Sequence, residues 1–159
     1  MGDRSKTLIL GIGNTLLRDE GAGVHAVRML AGQLAERDDI ELLDGGTLSF
    51  TLAGAIEEAQ QLIVIDAAQL GEAPGTTRVF EGERMDAFVG GNRKRSVHEV
   101  SLVDLLMIAR LADHLPQRRA LIGIQPHEIG WGEQPSAPVA AAIPQACAQV
   151  VSLVEAWQA

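Results

Sequence analysis

The chain has 159 residues, enough for one domain with a hydrophobic core that needs no covalent staples. Apolar residues make up 47% and charged residues 21%, which excludes a disordered chain; aromatics at 3%, with no Tyr, leave an aliphatic core. With 21 acids against 13 bases the net charge is −8, a field that repels phosphate backbones and argues against nucleic-acid binding.

Residues 7–11 form a short continuous apolar run, read as a strand buried on both faces. The segment ahead of it carries no signal-peptide hydrophobic region, and no stretch approaches a membrane span in length, so a reducing cytosol is expected. A glycine turn follows, then a helix over 21–37. Val24, Val27, Ala31 and Leu34 supply its apolar stripe, with Asp19 as N-cap and Glu20 in the first turn. His25 falls off that stripe and is expected to be exposed.

A second strand spans 40–43 and ends in the run Asp44, Gly45, Gly46, Thr47, before a helix over 50–59. The third strand, 62–66, is "LIVID". A fourth, 76–83, follows the turn signal "GEAPG". Gly90, Gly91 and Asn92 mark a loop. It continues into the basic stretch "NRKRSVH", read either as a solvated loop or as a docking patch for an acidic partner surface.

Residues 100–111 predict a helix, 118–126 a fifth strand, and 127–139 a Gly/Pro-rich loop whose rim Trp131 lines. The closing helix runs over 139–157, kinked or restarted at Pro144, with Trp157 packed on its inner side. Cys147 lies inside it as a small buried residue; a single cysteine excludes an internal disulfide and a cysteine zinc site. Strands alternating with helices predict a single-domain α/β sandwich over 1–159: a mainly parallel, twisted five-stranded sheet with helices on both faces.

In open α/β sheets the ligand crevice lies beyond the carboxyl ends of the strands. Here those ends carry acids: Asn14, Asp19 and Glu20 follow the first strand, Asp44 ends the second, and Asp66 terminates four apolar residues of the third. Asp66 alone reads equally well as a turn former. Several acids converging on one edge favour a functional site. His98 precedes a helix, where a lone histidine is more often a surface or capping group; beside two carboxylates it becomes a third ligand. A Glu, Asp and His set gives mixed oxygen and nitrogen ligation suited to a borderline divalent ion such as zinc or nickel. His114, at a helix end, complements the helix dipole, and His127 stands near enough to the crevice to be a weaker candidate.

The turn "GIGNTL" satisfies two glycines of a dinucleotide fingerprint, but Leu16 takes the third place. A carboxylate at the helix start would also repel a pyrophosphate by several kcal/mol, on the order of a Coulomb estimate at intermediate dielectric. A phosphate-free cation site fits better.

The blocks "GIGNTLLRDEGAGV", "DGGT", "LIVIDA" and "SVHEVSLVDLL", in that order, resemble the hydrogenase maturation endopeptidases, from about residue 8 to 154. The resemblance implies a five-stranded sheet between helices. It also implies removal of a C-terminal extension from the nickel–iron hydrogenase large-subunit precursor after nickel insertion. By motif it assigns Glu20, Asp66 and His98 as the metal-contacting catalytic site, and Asp44, Gly45, Gly46 and Thr47 to substrate recognition. The metal it implies is nickel, supplied by the substrate, with zinc or cadmium as expected substitutes. The enzyme is expected to be a cytoplasmic monomer, binding neither nucleic acid nor membrane. Ser101 departs from the pattern, standing where many members carry Gly three residues after the histidine.

Two other readings stand beside this one. A non-catalytic nickel-sensing chaperone would use the trio without shortening the precursor. A peptidyl-tRNA-hydrolase-like enzyme also opens on a G-x-G-N turn, but the remaining signatures of that family are missing and the chain's charge is unsuited to tRNA.

Overall fold

A computed structural model describes residues 6–46, 50–91 and 101–158. Thr47, Asn92, His98 and the basic stretch 92–98 lie outside the described residues. The strands are β1 (Thr7–Ile12), β2 (Ile40–Gly46), β3 (Gln61–Ala67), β4 (Thr77–Glu81) and β5 (Arg118–Ile124). The helices are α1 (Ala22–Gln33), α2 (Leu52–Glu58), α3 (Glu83–Gly91), α4 (Leu102–Leu111) and α5 (Ala137–Gln158). A 3-10 turn, Arg18–Gly21, precedes α1.

The sheet order is β2-β1-β3-β5-β4. Four strands run parallel and β4 joins the edge antiparallel to β5. The apolar runs explain this order. β1 and the first five residues of β3 are buried, as strands covered on both faces must be. β4 has only exposed and half-buried positions, as an edge strand does.

Two aliphatic layers cover the sheet. On one face α1 and α5 bury Ala26, Leu30, Ile143, Cys147 and Val150 against Ile9, Ile63 and Ile122. On the other, α2, α3 and α4 bury Ile56, Met85, Leu105 and Ala109 against Leu8, Leu10, Val64 and Leu121. Side chains from β1 alternate between the layers, the period-2 signature of a strand.

Several elements differ from the sequence reading. α3 occupies a segment whose end was read as a loop: Gly90 and Gly91 close a helix that buries Met85 and Val89, one turn apart. Phe88 of this helix stacks on Phe80 at 4.2 Å, and Arg119 grips Asp86 through two hydrogen bonds of 2.9 and 2.6 Å. α5 runs unbroken through Pro144, which is exposed. With 22 residues, α5 is long and apolar enough to cross a membrane by length and composition, contrary to the sequence expectation. Its buried stripe, from Val139 to Val154, is nevertheless spent on the sheet. Ser101 is the N-cap of α4, and its hydroxyl and backbone form a capping box with Asp104, so serine at this position has a local purpose.

Asp39, just ahead of β2, ties the end of α5 to the sheet. Its buried carboxylate accepts two hydrogen bonds from Arg37, at 2.9 and 2.8 Å, and one from the Gln158 amide. The Arg37 bonds, with Gln158, hold its pKa at about 2 against burial. A carboxyl depressed in the folded state contributes stability above its unfolded value of 3.8, lost as pH falls towards 2. The loss amounts to about 2 kcal/mol. Urea midpoints between pH 5 and pH 2 should therefore fall more steeply, on the order of that energy, in the native chain than in Asp39→Asn. Parallel curves would remove Asp39 from the acid response.

Candidate functional site at the carboxyl edge of the sheet

The parallel strands bring their carboxyl ends to one edge, and close backbone packing assembles that edge. Gly13 follows β1 with φ of +137°, and a Cβ there would stand 1.8 Å from the Glu20 carbonyl oxygen. The loop can therefore lie directly against the turn that carries Glu20. Gly23, one helical turn later, sits so close to the sheet that a Cβ would meet the carbonyl oxygens of Ile65 at 2.1 Å and Ile12 at 2.6 Å. Asp66 is the next residue after Ile65, and Glu20 lies three residues before Gly23. The same contact thus carries both acids to one edge between β1 and β3. Both are half-buried.

Asp44, Gly45 and Gly46 continue β2 rather than leaving it as a loop. The register slips at this point, Gly11 pairing with Asp44 and Ile12 with Gly46. Gly13 N–H then donates to Gly46 O at 2.9 Å, so the β2 end borders the Glu20 turn. The Asp44 carboxylate is held on both oxygens. One accepts from Gly46 N–H at 2.9 Å, and the other lies 3.6 Å from Arg28 of α1.

Asp19 is the residue whose role the sequence reading missed. The expected N-cap of α1 is instead Gly21, and no side chain caps the helix. Asp19 turns inward, fully buried. Its carboxylate accepts from His127 N–H at 2.8 Å, Glu128 N–H at 2.7 Å, Ser136 N–H at 2.6 Å and the Ser136 hydroxyl at 2.7 Å. Burial raises this carboxyl's pKa, but the donors at Glu128, Ser136 and His127 outweigh it and hold it below the ordinary value. The bonds span more than a hundred residues, so nothing local in the sequence signals them; only the paired acids of "RDEG" hint that one serves structure.

The 127–136 loop is consequently pinned to the turn. Arg18 N–H donates to Gly132 O at 2.8 Å, Gly132 N–H to Leu16 O at 2.9 Å, and Arg18 pairs with Glu128. Trp131, next to Gly132, stands on this rim 83% exposed. His127 is an exposed residue that contributes its backbone N–H to Asp19. His25 is half-buried rather than exposed: burial first, then the Arg28 charge, push its imidazole below the ordinary range, against a hydrogen bond at the Glu133 backbone. Cys147 is buried as expected, its thiol pushed up to about 11 by burial.

Among the described residues no group of three or more His, Cys, Asp or Glu side chains is gathered for a metal. Glu20 and Asp66 are two oxygen-donor residues on one edge. A third donor from His98 falls outside the described residues. Carboxylate oxygens are the hard donors that divalent ions take.

The hydrogenase maturation protease family model HycI matches residues 24–153. The hydrogenase expression/formation protein HupD of Rhizobium leguminosarum bv. viciae is 38% identical over 153 residues, 96% of this chain and 75% of the relative. The hydrogenase 2 maturation protease of Escherichia coli is 34% identical over 125 residues, 78% of this chain and 75% of the relative. The hydrogenase maturating endopeptidase HybD from Escherichia coli superposes with a TM-score of 0.82 at 32% identity, covering 95% of this chain and 93% of that one. A [NiFe] hydrogenase maturation protease HybD from Thermococcus kodakarensis gives 0.76 at 30% identity, covering 93% and 98%. With matching sequence over nearly its whole length and matching sheet and helices, this chain belongs to the hydrogenase maturation protease family.

Proposed function

We propose that this protein is the endopeptidase that trims the C-terminal extension from a nickel–iron hydrogenase large-subunit precursor once nickel has been inserted. The observation that supports this reading is the close Gly23 contact with Ile65 and Ile12, which sets the backbone of the Glu20 turn beside the strand end that carries Asp66. Nickel enters as part of the substrate, held by the precursor. Glu20, Asp66 and His98 are the residues that would meet it, zinc or cadmium being able to stand in.

An ion held between enzyme and precursor anchors the tail across the strand ends. When bound there it would supply Lewis-acid chemistry to the scissile carbonyl or to a water, and Glu20 or Asp66 would take the water's proton as general base. Asp44, Gly45 and Gly46 stand at the β2 end beside the Glu20 turn, and with Thr47 they are read as the substrate-recognition segment. The Arg28 partner of Asp44 is exposed, so a precursor cation can compete for that carboxylate at small cost. The net charge of −8 suits a protein partner rather than nucleic acid. A cytoplasmic monomer is the form in which we expect it to act. Family membership favours proteolysis over a metal-checking chaperone or a tRNA-directed hydrolase.

The test is the mass of nickel-loaded precursor before and after incubation with the purified protein. Loss of one defined C-terminal peptide is expected. Binding without any change in precursor mass would contradict the proposal.

A further inference from the structure

Glu20 projects from a turn that is poorly equipped to hold itself. Arg18–Gly21 is one short 3-10 turn with no side-chain cap. Arg18, at its head, adopts φ of +48°, a left-handed conformation costly for a residue with a Cβ. Such strain persists only where surrounding contacts over-determine it. Those contacts come from a segment more than a hundred residues away, and their centre is Asp19.

We propose that Asp19 is a positioning residue for Glu20: its buried carboxylate latches the Arg18–Gly21 turn to the 127–136 loop and so fixes where the Glu20 carboxylate stands. The inference rests on the reading of Glu20 given above. Asp19 and Glu20 are neighbours with different burial, one fully buried and the other half-buried. A capping acid bonds its own helix, whereas Asp19 bonds His127, Glu128 and Ser136. Its own N–H returns a bond to Glu128 O at 3.0 Å, closing a ring between turn and loop. Only an ionised carboxylate matches this set, because all four groups facing it donate. Asparagine fails in either orientation. Its amide nitrogen would face Ser136 N–H, or else the N–H groups of His127 and Glu128.

The experiment measures cleavage of nickel-loaded precursor by Asp19→Asn in two backgrounds, native Glu20 and Glu20→Asp. It is run below the unfolding temperature of every variant. With native Glu20, Asp19→Asn should lower kcat at least about tenfold, as misplacing a reacting group does. In Glu20→Asp, whose carboxylate is already withdrawn by one methylene, the same change should cost less than about threefold, because coupled residues do not add. A merely structural role predicts equal losses in both backgrounds, and that result overturns the proposal. Ser136→Ala, which removes one donor of the four, guards against failure of Asp19→Asn to fold. It should lower kcat roughly threefold with native Glu20 and leave the Glu20→Asp background unchanged, or the proposal fails. Inactive Glu20→Gln with fully active Asp19→Asn overturns this inference alone. Fully active Glu20→Gln overturns the reading of the site and this inference with it.

Discussion

Gly23→Ala lowers the stability of this protein by about 3 kcal/mol or more and cripples its site at the same time. The added methyl would stand 2.1 Å from Ile65 O and 2.6 Å from Ile12 O, both backbone atoms of central strands. Neither can swing away as a flexible side chain would. α1 must lift off the sheet, and Gly11, whose own Cβ would stand 2.3 Å from Gly23 O, leaves no slack on the strand side. An unfolding temperature about 6–12 °C lower is expected for a chain of this size. Gly32, near the other end of the same helix, is the control. Nothing lies within 4 Å of a Cβ placed there. Gly32→Ala should therefore gain about 0.5–1 kcal/mol from the reduced backbone freedom of the unfolded chain. Calorimetry on the two variants reads both signs. Equal and small shifts would show that the helix tolerates displacement and that Gly23 does not bring the acids together.

Glu20→Gln should reduce precursor cleavage by about a hundredfold or more, the scale of losing a group that stabilises developing charge. The substitution keeps the side chain's size and leaves the packing of the turn on Gly13 untouched, since that contact is made by the Glu20 backbone. The unfolding temperature should stay within about 4 °C of the native value, a change of roughly 1 kcal/mol. Asp66→Asn should behave alike. Loss of fold in both variants, in place of loss of rate, would mean that the two acids are structural.

Much of this architecture is legible in the residues. Continuous apolar runs gave β1 and β3, and strand–helix alternation gave the class of fold, because strands buried on both faces need such sequences. α3 escaped because its last two residues are glycines, which read as a loop although Met85 and Val89 bury one face. The antiparallel direction of β4 depends on the chain's route back to β5, which no local pattern encodes. Glu20 and Asp66 were legible as strand-end acids. The burial of Asp19 was not, because it is decided by the donors of the 127–136 loop, remote in sequence and mostly backbone. The same remoteness hid the Arg37, Asp39 and Gln158 clasp, whose last partner lies at the far end of α5.

Paired digestion of one precursor preparation, half loaded with nickel and half kept nickel-free, tests most directly the claim that these acids act on an ion carried by the substrate. The account predicts that mass spectrometry finds the shortened large subunit only in the nickel-loaded half. Equal shortening of both halves would contradict it.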